Sequence, residues 1–135
     1  MLNVVIDTNI IISIISPVSK HRAIFNSLKE GDFTLVISTE ILLEYEEVIS
    51  RKYGNHAADK FRKLLVVLPN VKIAEPHFRW RLMTNDTDDN KFVDTTLSVS
   101  ADYIVTEDKH FNILKKLKFP KVNVINAATF AAKLS

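Results

Sequence analysis

Short apolar runs alternate with longer amphipathic stretches along this chain. Residues 2–6, LNVVI, are a β-branched run that stops at an acid, as a buried parallel strand does where it enters a loop. By the same criterion we predict further strands at residues 34–37, 103–105 and 122–125, and a weaker one at 71–73. The spacing of apolar residues predicts helices at 10–15, 22–29, 39–52, 57–68, 90–100 and 127–134. This alternation indicates an α/β protein with a mainly parallel central sheet.

Side chains at several element boundaries support these predictions. Ser38 or Thr39 is placed to cap the third helix, and Asp88 or Asp89 to cap the fifth. Residues 75–89 follow no single period, so a strand, a short helix and an irregular loop all stay open there.

Composition narrows the class of protein. The chain has 135 residues, of which 47% are hydrophobic, so we expect one domain over residues 1–135. It has no cysteine, which excludes disulfides, thiolate zinc sites and cysteine nucleophiles. Its two glycines cannot build a glycine-rich phosphate loop. With no signal-like segment and no apolar run of about 20 residues, we expect a cytoplasmic protein without membrane association.

The charged residues exclude a calcium-binding loop, but they do not indicate which partner the protein binds. The net charge of +2 is too small to indicate a partner, although local basic clusters permit nucleic-acid binding. Acids gather between Asp86 and Asp94. Counted from Asp86 as a calcium loop, positions six and twelve hold Lys91 and Leu97 instead of glycine and glutamate, so that motif fails. The four histidines lack paired spacing, and we expect them at the surface or in packing roles.

Two acids follow predicted strands directly, and two others lie on predicted helices. Asp7 follows the first strand and Asp108 follows the strand at 103–105, so both project from one sheet edge if these strands are neighbours. Glu44 borders the apolar stripe of its helix; Glu46 borders the other side, and periodicity does not choose between them. Asp94 falls in the first turns of its helix, where the dipole favours an acid. Such carboxylates suggest a hard cation.

Three strings of residues, in order along the chain, resemble the PIN-domain family. They are VVIDTNIII, the spaced set Ser38, Leu42, Glu44 and Val48, and DDNKFVDTTLSVSADYIVTEDKHF. The likeness is strongest to the VapC-like toxin components of bacterial toxin–antitoxin pairs. It extends over residues 3 to about 125 and implies a three-layer α/β/α sandwich around a mainly parallel sheet of four to five strands.

The resemblance also implies a set of site residues. The quartet that matches the metal-binding and catalytic acids of the family is Asp7, Glu44, Asp94 and Asp108. We therefore expect these four carboxylates to share one pocket and to bind Mg²⁺ or Mn²⁺. Asn9 and Thr106 match polar residues that support the carboxylates in relatives. Glu107 stands where many relatives have glycine, and it either adds a fifth carboxylate or crowds the site.

The implied function is that of a metal-dependent endoribonuclease acting as the toxin of a toxin–antitoxin pair. The bound ion would activate water for attack on an RNA phosphodiester. An antitoxin partner and a homodimer follow from the same resemblance. One alternative is a catalytically inactive PIN-fold module that binds RNA or protein. Another is a phosphotransfer domain with Asp7 as acceptor, although its dehalogenase form expects aspartate at Asn9.

Overall fold

Five short strands form one sheet at the centre of this computed structural model, which describes residues 1–135. The strands are β1 (Asn3–Ile6), β2 (Thr34–Ile37), β3 (Val71–Ile73), β4 (Tyr103–Val105) and β5 (Val124–Ile125). Their spatial order is β3-β2-β1-β4-β5, and every neighbouring pair is parallel. Helices lie on both sides of the sheet, which confirms the predicted α/β/α sandwich. All five predicted strands are present, and the last one is shorter than predicted.

Six α-helices and two 3-10 segments connect and cover the strands. The α-helices are α1 (Thr8–Ile14), α2 (Arg22–Glu30), α3 (Thr39–Tyr53), α4 (Asn55–Val67), α5 (Asn90–Ser98) and α6 (Ala127–Leu134). The 3-10 segments, which the periodicity did not predict, are Thr87–Asp89 and Lys109–Lys116. Gly54 separates α3 from α4 with a φ of 97°, a backbone angle that residues with a side chain rarely adopt. None of the helices has the length and apolar character needed to span a bilayer.

The two predicted helix caps have different outcomes. The Ser38 hydroxyl accepts a hydrogen bond from the Ile41 amide at 3.1 Å and caps α3. Asp89 occupies the N-cap position of α5, but its side chain makes no capping hydrogen bond there. Residues 74–86, which include most of the segment left open by the sequence, have no regular secondary structure.

The helix α3 is joined to the central strand β1 through a buried tyrosine. The side chains of Val4, Val5 and Ile6 are fully buried, as is Tyr45 of α3. The Tyr45 hydroxyl donates a hydrogen bond to the Ile6 carbonyl, which lies one residue before Asp7. This bond fixes α3 against the end of β1, where the candidate site begins.

We expect Tyr45→Phe to lower the free energy of unfolding by about 1–2 kcal/mol, because the buried Ile6 carbonyl loses its donor. The corresponding fall in Tm is about 3–8 °C for a domain of this size. The matched control is Tyr53→Phe, since the Tyr53 hydroxyl lies 3.4 Å from the Ile12 carbonyl and its side chain is 42% exposed. Thermal melts that show equal losses for the two variants would contradict the role given to Tyr45.

Candidate metal centre

The pairing of β1 with β4 brings the residues after both strands side by side. Ile6 is in register with Val105, and the Asp7 amide donates to the Val105 carbonyl at 3.0 Å. Just beyond β4, the Thr106 hydroxyl donates to Asp7 Oδ2 at 2.8 Å and accepts from the Asp108 amide at 3.0 Å. Thr106 is itself buried. It therefore fixes the Asp7 carboxylate and the backbone of Asp108 at the same edge of the sheet.

Three carboxylates and one imidazole converge beside Asp7. Ligand atoms of Asp86, Asp89, Asp108 and His110, called here the acidic cluster, all lie within 4.8 Å of one another. His110 Nδ1 is 3.3 Å from Asp108 Oδ1. Asp86 and Asp89 lie at either end of the first 3-10 turn, which presents both of them to the loop after β4. His110 is exposed, as expected for a surface histidine, yet it belongs to this group.

Burial, together with the charges of neighbouring acids, raises the pKa values of two carboxylates in this region, Asp7 and Asp89. Burial raises the pKa of Asp7; the Thr106 hydrogen bond opposes this shift and the charge of Asp108 adds to it. Burial, followed by the charges of Asp86, Asp7 and Asp108, raises the pKa of Asp89 to about 7. Asp89 Oδ2 is buried and has no hydrogen-bond partner. An orphaned carboxylate oxygen among repelling acids is an arrangement that a bound cation would stabilise.

Glu44 lies beside Asp7 but has its own partners. Its carboxylate accepts a hydrogen bond from the Thr8 hydroxyl and lies 2.8 Å from Lys91 Nζ. The Lys91 side chain is only 9% exposed, so this ion pair is shielded from water. The charge of Glu44 contributes to the raised pKa of Asp7. Glu46, the alternative from periodicity, instead pairs with Arg62 of α4 at 3.2 Å.

Asp94 does not join the acidic cluster, so a pocket shared by the whole quartet stays a prediction. Asp94 Oδ1 accepts a hydrogen bond from the Trp80 amide at 3.0 Å. Burial raises its pKa, while that bond and the charge of Arg79 lower it. The physical reason is helical phase: Asp94 comes five residues after Asp89, about 140° further round the helix. The carboxylate that the acidic cluster takes from this end of α5 is that of Asp89, which occupies the N-cap position.

Of the three predicted supporting residues, only Thr106 contacts an acid of the site. Thr106 contacts Asp7 as described, whereas Asn9 is exposed and its side chain forms no hydrogen bond. Glu107 Oε1 accepts from the Ala127 amide at 3.1 Å, at the start of α6. It neither adds a carboxylate to the cluster nor crowds it.

Sequence reasoning missed five residues of this region. They are Thr8, Asp86, Asp89, Lys91 and His110. The signal that could have found the acids was the carboxylate-rich loop itself, whose residues also fit a helix cap. Nothing in the periodicity indicated that Lys91 would be a buried partner of Glu44.

A three-layer α/β fold with carboxylates gathered at the ends of its central parallel strands defines the class of this protein. The family model described as the PIN domain matches residues 3–110 of this chain. The chain therefore belongs to the PIN-domain family. No curated protein matches the chain.

Three solved structures share the fold at low sequence identity. VapBC2 from Rickettsia felis, bound to a DNA fragment from its promoter, has a TM-score of 0.64 and 15% identity over 93% of this chain and 98% of that chain. DNA-bound VapBC from Salmonella typhimurium has a TM-score of 0.55 and 14% identity over 94% and 99%. FitAcB from Neisseria gonorrhoeae has a TM-score of 0.57 and 20% identity over 93% and 98%.

We expect Asp89→Asn to stabilise the metal-free protein at pH 8, because it removes a charge that burial and the neighbouring acids both disfavour. Since the folded-state pKa is raised, the stability associated with protonated Asp89 is present at low pH and is lost as the pH rises through about 7. The gain should therefore be absent at pH 4. At pH 8 it should be about 1 kcal/mol, because water screens this partly exposed carboxylate.

Thermal melts in EDTA at pH 4 and pH 8 measure this difference. The matched control is Asp59→Asn, which removes attractive pairs with Arg62 and Lys63 instead of a repulsion, and should give no rise in Tm. A wild-type Tm equal to or above that of Asp89→Asn at pH 8 would contradict repulsion in the cluster.

Proposed function

We propose that this protein is a metal-dependent endoribonuclease, and the toxin component of a toxin–antitoxin pair. The observation that carries the proposal is the convergence of three carboxylates and an imidazole beside Asp7, with Asp89 Oδ2 buried and unpartnered. Membership in the PIN-domain family supports a nuclease. We take the substrate to be single-stranded or looped RNA.

The acidic cluster fits a divalent cation held mainly by oxygen. Two ligands on opposite sides of Mg²⁺ are about 4.2 Å apart, so donor atoms within 4.8 Å of one another need to move only slightly. Carboxylate donors favour Mg²⁺ or Mn²⁺, and the imidazole of His110 makes Mn²⁺ the better match. When bound, the ion supplies positive charge for the phosphodiester and lowers the pKa of water.

We assign the ligand positions to Asp86, Asp89, Asp108 and His110, with Asp7 adjoining them. Thr106 orients Asp7 and the Asp108 backbone through its two hydrogen bonds. Glu44 already has a counter-ion in Lys91, so we place it outside the ligand shell, as a group that holds Thr8 and Lys91 in position. Asp94 receives no ligand role.

An antitoxin partner is part of the proposal. The VapBC structures that share this fold were solved with DNA bound. By analogy, we propose that a partner protein silences this nuclease by covering the acidic cluster, and that the toxin forms a homodimer. These assignments rest on fold likeness and on the family.

We expect Mn²⁺ or Mg²⁺ at about 100 times its Kd to raise the free energy of unfolding by about 2–3 kcal/mol. Asp7→Asn and Asp89→Asn should each remove most of the gain, because each deletes a charge at the site. Asp94→Asn should keep it, since Asp94 bonds to Trp80 elsewhere. Thermal melts with and without the ion measure the effect. A gain that Asp94→Asn abolishes and Asp89→Asn preserves would reverse the assignment.

Cleavage of a single-stranded RNA tests the activity itself. We expect cutting in Mn²⁺ and none in EDTA, with Asp89→Asn and Asp108→Asn slower by at least about 100-fold and Asp94→Asn within tenfold of wild type. RNA that is bound but not cut, with any divalent ion, would indicate the inactive binding module instead.

A further inference from the structure

Three aromatic side chains form an exposed surface near the start of α5. Phe78 and Trp80 lie in the irregular segment before α5, and Phe119 lies after the second 3-10 segment. Their rings meet edge to face, with centroids 4.8 Å apart for Phe78 and Trp80, and 6.1 Å apart for Trp80 and Phe119. Phe78 is 62% exposed and Phe119 is 81% exposed. Aromatic rings grouped in water, outside the core, indicate a binding surface.

This aromatic surface, defined as Phe78, Trp80 and Phe119, is attached to the helix that follows Asp89. The Trp80 amide is bonded to Asp94, and the Met83 amide donates to Asn90 Oδ1 at 2.8 Å. Asn90 and Asp94 are four residues apart and so lie on the same face of α5. Both bonds hold the aromatic segment to the helix whose N-terminal end carries the acidic cluster. Asp94 thereby acts as a positioning residue for Trp80.

Cationic residues adjoin the aromatic residues along the chain. Arg79 and Arg81 flank Trp80 in the chain, and Lys118 precedes Phe119; all three are exposed and none forms an ion pair. Aromatic rings interleaved with such cations suit single-stranded nucleic acid, whose bases stack while its phosphates are neutralised. A peptide partner bound by apolar contact alone would leave these charges uncompensated.

Without its cation, the acidic cluster opposes the binding of a polyanion. Its carboxylates repel phosphate groups, so affinity for RNA then has to come from other residues. Stacking does not depend on charge, and it can hold a strand under these conditions.

We propose that Phe78, Trp80 and Phe119 form a base-stacking surface that binds unpaired bases of the RNA substrate, on the segment that Asn90 and Asp94 hold to α5. The inference rests on the proposed function in taking RNA as the substrate. It adds the residues that hold the RNA and the way they do so.

The test uses Trp80, the only tryptophan of the chain, as a fluorescent probe. The full-length wild-type protein, in EDTA to prevent cleavage, is titrated with ten-nucleotide oligoadenosine, oligouridine and an abasic strand of the same length. We expect both RNAs to quench Trp80, oligoadenosine more strongly because adenine offers the larger stacking face, and the abasic strand to leave it unchanged.

Variants locate the effect on the aromatic surface. Phe119→Ala and Phe78→Ala should each weaken oligoadenosine binding by about 5- to 100-fold, and Phe119→Tyr should retain it. The control is Val66→Ala, which truncates a 72% exposed apolar side chain on α4 and should bind within twofold of wild type. The losses should persist as salt increases, since stacking releases few counterions.

The inference would be overturned if Phe119→Ala bound oligoadenosine as tightly as wild type does. It would also be overturned if wild type bound the abasic strand as tightly as oligoadenosine. Either result would favour a protein partner for this surface. If the protein cleaves RNA in Mn²⁺ but RNA does not change Trp80 fluorescence, the stacking surface is contradicted and the proposed nuclease function is not. If the protein neither cleaves nor binds RNA, the proposed function is contradicted as well.

Discussion

Parallel pairing of β1 with β4 is the constraint on which the candidate site depends. The register of Ile6 with Val105 places Asp7 next to Thr106, and one hydroxyl then bonds to the Asp7 carboxylate and to the Asp108 amide. A shift of one residue in this register would turn these side chains to opposite faces of the sheet. The fully buried strands and the Tyr45 bond to Ile6 make such a shift costly. The packing of the core therefore fixes the relative positions of Asp7, Thr106 and Asp108.

The same packing forces like charges together, and the protein compensates only some of them. Lys91 balances Glu44, and Thr106 donates to Asp7. Asp89 has neither kind of partner for its buried Oδ2, and burial with neighbouring acids raises its pKa. An unpartnered carboxylate oxygen among neighbouring acids is costly unless a ligand pairs with it. In this member of the PIN-domain family, the acidic cluster is therefore a place where a cation would stabilise the fold.

The helix α5 serves two neighbouring regions. Its N-terminal end carries Asp89 toward the acidic cluster, while Asn90 and Asp94 hold the irregular segment that contains the half-buried Trp80 and the exposed Phe78. The acidic cluster and the aromatic surface are thus both attached to the same helix. Asp94, which matches an acid of the family quartet, holds this segment through the Trp80 amide.

Local physics made much of this protein predictable from sequence. Runs such as LNVVI identify strands because β-branched residues favour them, and strand ends placed Asp7 and Asp108 at one edge because parallel strands share their direction. Which of Asp89 and Asp94 faces that edge was decided by the tertiary structure, since helical periodicity fixes the angle between two residues but not the orientation of the helix against the sheet. The partners of Glu107 and Glu44, Ala127 and Lys91, lie 20 and 47 positions away, beyond the range of any local pattern. Long-range packing alone brings such pairs together.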